Sequence, residues 1–307
     1  MAREQFGICA EPNLHGCYLL FNALDGKNGF IREALSRLPA LFDDYANQFS
    51  EANLIGVIAI GSSYWDEFYP QARPALLSPF PAMSCEDRVA PVNNVDIYIE
   101  IRSDRSDVNH IVSSKVSQLL ADSVELIEQI QGFRYLDGRD LTGFVDGTEN
   151  PKSMHRRKVA LVEEQADRAF TAGSYLHIQK YQHNLVLWNT LELQTQEDTY
   201  GRTKIDNVEY ASEAKSLCAH TKRTSLKDDA GESIEILRQS MPFGDIKKQG
   251  LMFVSYCHSP KPFELMLKSM IHGDGHGNVD DLLKYTQAEM GAAFFAPSLN
   301  FLNSLVP

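Results

Sequence analysis

The stretch Val95-Asp96-Ile97-Tyr98-Ile99-Glu100-Ile101 alternates apolar and polar residues along its whole length. Such alternation predicts a β-strand with one buried and one exposed face, because successive side chains of a strand point to opposite sides. Apolar residues at helical intervals follow over Ser106–Leu120 and predict an amphipathic helix. A second strand is predicted over Val124–Phe133. The local order is therefore strand, helix, strand.

The chain before this stretch has the same order. Gly16–Asn22 is short, apolar and bounded by turn residues, which favours a strand. Gly29–Phe49 has helical periodicity, and Leu54–Ile60 is apolar enough for a buried strand. Two consecutive β-α-β units indicate a ferredoxin-like arrangement, in which helices cover an antiparallel sheet.

The second half repeats this order more loosely, without a detectable sequence repeat. The predicted strands are Ser174–Tyr181, Ile234–Ser240, Leu251–Tyr256 and Ala292–Ala296, and the predicted helices are Leu185–Thr195, Pro262–Ile271 and Val279–Tyr285. The polar segment Glu197–Leu226 predicts a long functional loop or an insertion of short helices. We therefore expect an α+β fold of duplicated ferredoxin-like halves with antiparallel sheets and covering helices. It forms one domain over residues 1–307, divided into halves of about 1–140 and 141–307.

Composition narrows the possible partners. The 307 residues carry a net charge of -12, which repels nucleic acid and anionic membrane surfaces. No segment approaches the roughly 20 apolar residues that span a bilayer. The five cysteines are scattered and form no Cys-x-x-Cys pair, so neither a zinc site nor a disulfide framework is indicated. We expect a cytoplasmic protein.

The segment Gly143-Phe144-Val145-Asp146-Gly147-Thr148-Glu149-Asn150-Pro151 places one carboxylate among turn-forming residues. Gly147 has no Cβ, so the backbone can approach a ligand closely there. Asp146 could thus point at a ligand, or it could form an ordinary Asx turn.

Two further residues bear on this choice. His220 lies in the polar insertion, where a lone histidine is usually structural or solvated. Arg238 follows the alternation of the strand predicted over Ile234–Ser240, and an inward-facing arginine needs an anion or a carboxylate. A buried Asp–Arg bridge would satisfy it equally well.

Taken together, these residues resemble the dye-decolourising peroxidase family of haem enzymes. The family's Gly-x-x-Asp-Gly motif is matched at Gly143–Gly147, and His220 and Arg238 follow in the family's order. The resemblance extends to the segments 200–204, 238–244 and 291–297, and is greatest to the bacterial cytoplasmic branch. It implies one haem b per chain, bound in the C-terminal half. Because Cys-x-x-Cys-His is absent, the haem should be non-covalent.

The resemblance also implies roles for individual residues. His220 would ligate the iron and hydrogen-bond a carboxylate through its other ring nitrogen, for which Asp280 is the first candidate and Asp281 the rival. Asp146 would move a proton between the two oxygens of hydrogen peroxide. Arg238 would stabilise the negative charge that develops as the O–O bond breaks.

Other residues are implied as haem contacts. Arg202 would pair with a propionate, and Gly147 and Thr148 would lie beside the cofactor. Phe253 would pack on the porphyrin or belong to the core. Ser240 stands where many relatives carry Asn, and it could still donate one hydrogen bond.

The expected function follows from these roles. The enzyme would reduce hydrogen peroxide and oxidise bulky organic donors such as dyes and phenols. An acidic optimum is expected, because the reference pKa of Asp is about 3.9 and a base works best near its own pKa. Homodimers or larger assemblies are implied by the resemblance.

Three other functions compete with this one. Val145–Thr148 resembles half of the Asp-x-Asp-Gly-Thr motif of aspartyl-phosphate enzymes, but Phe144 occupies the position of the nucleophile. A haem carrier or porphyrin-processing protein would share the fold and the axial histidine, but would need neither Asp146 nor Arg238. In a plain interaction module all three polar residues would be structural.

Overall fold

The computed structural model describes residues 2–305 as an α+β protein. Its strands are β1 (His15–Ala23), β2 (Ile55–Gly61), β3 (Met83–Cys85), β4 (Arg88–Ala90), β5 (Ile97–Ser103), β6 (Val124–Phe133), β7 (Ser174–His183), β8 (Leu237–Arg238), β9 (Met241–Gly244), β10 (Gln249–Cys257) and β11 (Thr286–Ala296). Its helices are α1 (Phe6–Cys9), α2 (Asn28–Gln48), α3 (Trp65–Phe68), α4 (Ser106–Leu120), α5 (His155–Ala160), α6 (Leu185–Trp188), α7 (Leu193–Tyr200), α8 (His220–Thr224), α9 (Lys261–His272) and α10 (Leu299–Asn303). Short 3-10 turns cover Ser50–Ala52, Arg168–Phe170 and Asp281–Lys284.

Each half of the chain has the ferredoxin-like strand order. In the first half the order is β6-β1-β5-β2, and in the second it is β11-β7-β10-β9. Neighbouring strands in both sheets pair antiparallel. The predicted duplication of the fold is therefore confirmed. The two sheets also join, through β2–β11 and β6–β9 contacts, into one closed ring of strands.

Closure of the ring buries both faces of the central strands. Every residue of β5 is buried, so the prediction of one exposed face for this strand is wrong. The isoleucines of β5 pack beneath α2 and α4 in one core cluster, whereas Tyr98 belongs to a second cluster inside the ring. Glu100 lies inside the ring as well, 2.5 Å from Nε of Arg102. Its carboxylate accepts hydrogen bonds from Tyr98 and Tyr256.

The second half departs from the prediction in several places, and β11 begins six residues before the strand predicted over Ala292–Ala296. The helix predicted over Leu185–Thr195 is divided into α6 and α7. The strand predicted over Ile234–Ser240 is shortened to β8, within which the side chain of Asn150 bonds both backbone groups of Arg238. The helix predicted over Val279–Tyr285 is a single 3-10 turn, capped by Asp280.

These departures leave a space on the outer face of the second sheet. In the first half, α2 and α4 cover this face completely. In the second half α9 covers part of it, and the segment between β7 and β8 contributes only the short helices α6, α7 and α8. The segment 197–226, predicted as a long loop or an insertion of short helices, contains the end of α7, an irregular stretch and α8. Among residues 2–305, no helix is long and apolar enough to cross a membrane.

Candidate active site

A cavity of about 320 Å³ lies against the outer face of the second sheet. Its volume falls within the range of small-molecule and cofactor sites, roughly 300–1,000 Å³. One wall is apolar and is formed by β10 and α9: Leu251, Phe253, Phe263, Met266, Leu267 and Met270. Asp146, Arg202, His220 and Arg238 bring polar groups to the same space. All lining residues fall between positions 140 and 286, within the second half of the chain.

His220 is the first residue of α8 and lines the cavity. Its Nδ1 lies 2.7 Å from Oδ2 of Asp280, whose side chain is fully buried. Asp281, the alternative partner, instead pairs with Lys284 at 2.6 Å. No hydrogen bond from residues 2–305 reaches Nε2 of His220, so this nitrogen is available for a ligand of the cavity.

Asp280 is fixed on several sides. Its backbone N–H donates to the carbonyl of Met270 at the end of α9. Its Oδ1 accepts the N–H of Leu282 at 2.9 Å, while Oδ2 faces His220. A carboxylate held in this way orients the imidazole and increases its basicity as a metal ligand.

The loop over residues 143–151, here called the Asp146 loop, is shaped by two glycines with positive φ. Gly143 has φ 91° and Gly147 has φ 76°, values that residues with a Cβ rarely adopt. A Cβ at Gly143 would also lie 2.4 Å from Cε of Lys204. The Asp146 N–H donates to the carbonyl of Gly138 at 3.0 Å, which fixes the carboxylate relative to the preceding turn.

Asp146 lines the cavity and is partly buried. Burial raises the pKa of its carboxyl above the ordinary value, while the charge of Arg238, the N–H of Gly147 and the nearby His220 oppose this rise. A carboxyl with a raised pKa in a cleft is suited to proton transfer.

Arg238 is held by its backbone. Nδ2 of Asn150 donates to the Arg238 carbonyl at 2.8 Å, and the Arg238 N–H donates to Oδ1 of Asn150 at 2.9 Å. The amide of Asn150 therefore ties the Asp146 loop to β8. The Arg238 side chain lines the cavity, and its Nε has no hydrogen-bond partner within residues 2–305.

The predicted haem contacts divide into two groups. Arg202, Gly147, Thr148 and Phe253 line the cavity. Arg202 is buried, not a surface residue, and its Nη2 lies 3.5 Å from Glu149. Ser240 does not line the cavity: its hydroxyl accepts the N–H of Val254 across the sheet.

The residues present fit a haem. A histidine with one free ring nitrogen and one carboxylate-bound nitrogen is the usual haem-iron donor. The buried Nε atoms of Arg202 and Arg238 lack partners within the described part of the chain, as expected of donors that await an anionic group. The apolar wall matches the porphyrin's hydrocarbon surface.

Four cavity-related residues were not assigned from the sequence. Asn150 stands in the quoted motif, but its turn-forming character concealed the contact with Arg238. Tyr200 stands in a segment of family resemblance. Asp140 and His183 line the cavity and pair at 2.9 Å. Nothing in the sequence signals that pair, because the two residues are brought together only by the folding of β7.

Comparison with known proteins adds a family match. The profile of the Dyp-type peroxidase N-terminal domain matches residues 5–134, and that of the C-terminal domain matches residues 137–301. A dye-decolorizing peroxidase of Mycobacterium tuberculosis is 34% identical over 279 residues, covering 90% of this chain and 83% of the relative. The crystal structure of a Dyp-type peroxidase protein from Shewanella oneidensis is 52% identical, with TM-score 0.98 over 100% of both chains. A DypB variant of Rhodococcus jostii RHA1 in complex with heme is 32% identical, with TM-score 0.93 over 96% of both.

Proposed function

The chain belongs to the Dyp-type peroxidase family, and from this membership we infer that it is a haem-dependent peroxidase. It reduces hydrogen peroxide and oxidises organic donors, including dyes. The haem carrier considered from the sequence is not favoured, because the relatives of highest identity are named as peroxidases.

We propose that His220 holds the haem iron through Nε2 and that Asp280 orients its ring. Arg202 pairs with a propionate, and Phe253 with the other apolar residues of β10 and α9 packs against the porphyrin. Gly147 and Thr148 line the same space. Ser240 acts indirectly, through its contact with the backbone of β10. When bound, haem supplies the redox chemistry by which peroxide is reduced.

Asp146 carries out the proton transfer. Its carboxylate takes a proton from one oxygen of peroxide and returns it to the other oxygen, so that water can leave. Arg238 contributes a fixed positive charge beside the breaking O–O bond, where negative charge develops. Because both side chains face the cavity that His220 lines, one small peroxide molecule could contact both.

One observation supports this assignment most strongly. The same cavity contains a histidine whose Nδ1 is bound by a buried carboxylate, a carboxyl of raised pKa, and an arginine, Arg238, whose buried Nε has no hydrogen-bond partner among residues 2–305. A carrier would need only the first of these three.

The test is a titration of haem-free protein with haemin, followed by dye oxidation with peroxide. The wild type should gain a Soret band at one haem per chain and then oxidise the dye, with an acidic optimum. His220→Ala should lose iron ligation and most haem. His272→Ala, a change at the end of α9 and outside the cavity lining, is the matched control and should bind haem normally. Full haem uptake and turnover by His220→Ala would refute the ligand assignment.

We also propose that the chain forms homodimers or larger assemblies, is located in the cytoplasm, and is one domain whose halves meet near residue 140. Light scattering of the haem-loaded protein tests the first proposal, and a monomer at micromolar concentration would exclude it. Cell fractionation tests the second. Cooperative unfolding with a single transition is expected if the halves form one domain.

A further inference from the structure

A hydrogen-bonded row of polar side chains adjoins the cavity and takes no part in the peroxide step described above. The Tyr200 hydroxyl lies 2.8 Å from Oγ1 of Thr142, which lies 2.7 Å from Oδ2 of Asp140. The other oxygen of Asp140 lies 2.9 Å from Nε2 of His183, and Nδ1 of His183 lies 2.8 Å from the hydroxyl of Thr286. The hydrogen-bonded row thus runs from the ring of Tyr200 to the carboxylate–imidazole pair of Asp140 and His183.

Tyr200 stands where it can exchange an electron with a bound cofactor. It lines the cavity, and its ring meets that of His220 edge-on at a centroid distance of 5.9 Å. Its other neighbours are Phe144, stacked at 4.0 Å, and Trp188 at 5.9 Å. These contacts hold the phenol ring in one orientation beside the proposed iron ligand.

The donor and the acceptor of each hydrogen bond from Tyr200 to Asp140 can be assigned. Burial opposes ionisation of Asp140, yet the neighbouring His183 and the hydrogen bonds from Thr142 lower the pKa of its carboxyl below the ordinary value. An ionised carboxylate only accepts, so the single hydroxyl proton of Thr142 goes to Asp140. The Thr142 oxygen must then accept a hydrogen bond from the Tyr200 hydroxyl.

We propose that Tyr200 is a redox-active residue of this peroxidase, and that the Asp140–His183 pair is the acceptor of its phenolic proton. With haem bound in the cavity and oxidised by peroxide, Tyr200 would supply one electron to it. Its proton passes to the Thr142 oxygen as the Thr142 proton passes to Asp140, which leaves a neutral tyrosyl radical. An organic donor then returns one electron and the proton moves back. This proposal rests on the proposed function.

A second tyrosine of the same cavity has a hydroxyl whose hydrogen bond goes to a neutral group. Tyr181 also lines the cavity, but its hydroxyl donates to the amide oxygen of Gln179 at 2.9 Å. A neutral amide accepts a hydrogen bond without taking the proton at neutral pH. Of the two tyrosines, only Tyr200 is connected to a group that can take the phenolic proton. Tyr181 is therefore the matched control.

The experiment is rapid-freeze electron paramagnetic resonance of the haem-loaded protein after peroxide is added without a donor. Tyrosines carry ring deuterium in a parallel sample, so that a tyrosyl signal is recognised by its narrowing. The wild type should show this signal. Tyr200→Phe should lose it, Thr142→Val should weaken it while keeping the ring in place, and Tyr181→Phe should retain it. Haem uptake and melting temperature of each variant establish that it is folded.

The change in Soret absorbance on adding peroxide is recorded for the same samples. If the wild type shows no Soret change, the proposed peroxidase function fails, and this proposal fails with it. If the Soret change occurs but no tyrosyl signal forms, or the signal persists in Tyr200→Phe, only the assignment of Tyr200 is refuted.

Discussion

At the scale of single residues, the cavity contains two carboxyls with opposite pKa shifts. Burial raises the pKa of Asp146 despite the charge of Arg238. Asp140 is also buried, but His183 and Thr142 lower its pKa. The difference arises from partners: Asp140 accepts three hydrogen bonds from side chains and backbone, and Asp146 faces a space that protein atoms leave open.

The two shifts predict opposite effects on stability. A carboxyl whose folded pKa exceeds its unfolded pKa destabilises the folded state once the pH is above both values. Asp146→Asn should therefore raise the free energy of unfolding of the haem-free protein at neutral pH. The gain should shrink as the pH falls through the raised pKa of Asp146. Urea unfolding at several pH values measures it.

Asp140→Asn is the counterpart within the same cavity. A carboxyl with a lowered folded pKa stabilises the protein above its unfolded pKa, about 3.9, and this stability is lost only as the pH falls through the folded pKa. Asp140→Asn should thus destabilise at neutral and mildly acidic pH alike. Equal changes of the same sign in both variants would contradict the assignment of the two environments.

At the scale of elements, the contact between the Asp146 loop and β8 depends on one amide. We predict that Asn150→Ala frees the Arg238 N–H and carbonyl and lets β8 fluctuate. Loss of these hydrogen bonds costs roughly 1–3 kcal/mol. Amide exchange of Arg238 in haem-free protein should become faster by the corresponding factor, about 5- to 150-fold. The haem-loaded variant should also react more slowly with peroxide.

Asn150→Asp is the matched control, since its carboxylate can still accept the Arg238 N–H but cannot donate to the carbonyl. It should retain more protection at Arg238 than Asn150→Ala does. Unchanged exchange in Asn150→Ala would show that β10 alone holds β8.

The elements of the first half were largely predictable, and those of the second half less so. Ser106–Leu120 and Val124–Phe133 have the predicted bounds, because local periodicity agrees with the packing of α4 and β6. β8 is shorter than the alternation around Arg238 implied, and its backbone at Arg238 bonds a side chain 88 residues away. Periodicity describes one segment and cannot report such a contact. The sequence likewise favours Asp280 as the partner of His220 without excluding Asp281, because the choice depends on the turn that begins at Asp281.

At the scale of the whole molecule, the two halves share a buried polar centre inside the ring of strands. Arg102 of the first half donates to Oε1 of Gln239 in the second half at 2.8 Å and to the carbonyl of Gly7 at 2.6 Å. Gln239 in turn donates to the carbonyls of Ile8 and Ala10. The sequence could not reveal this centre, since the alternation over Val95–Ile101 places Glu100 on a face that only ring closure buries.

Removal of one member of this centre should be costly. Arg102→Met leaves the Glu100 carboxylate buried without a cation, and breaking a buried pair costs about 3–5 kcal/mol. Urea unfolding should show a loss of that size. The double variant Glu100→Gln/Arg102→Met should recover part of it. A loss below about 1 kcal/mol, the size expected of an exposed ion pair, would contradict the buried assignment.

In the cavity that His220 lines, we propose that Asp146 transfers the proton of peroxide and that Arg238 stabilises the developing negative charge. Stopped-flow measurement of the Soret change, with haem-loaded protein and peroxide across pH, tests it most directly. Asp146→Asn should bind haem but react about 10²–10⁴-fold more slowly. The wild-type rate should fall as the pH drops through the raised pKa of Asp146, and the variant should lack this fall. Arg238→Leu should lose about 10²–10³-fold. A wild-type rate in haem-loaded Asp146→Asn would contradict the account.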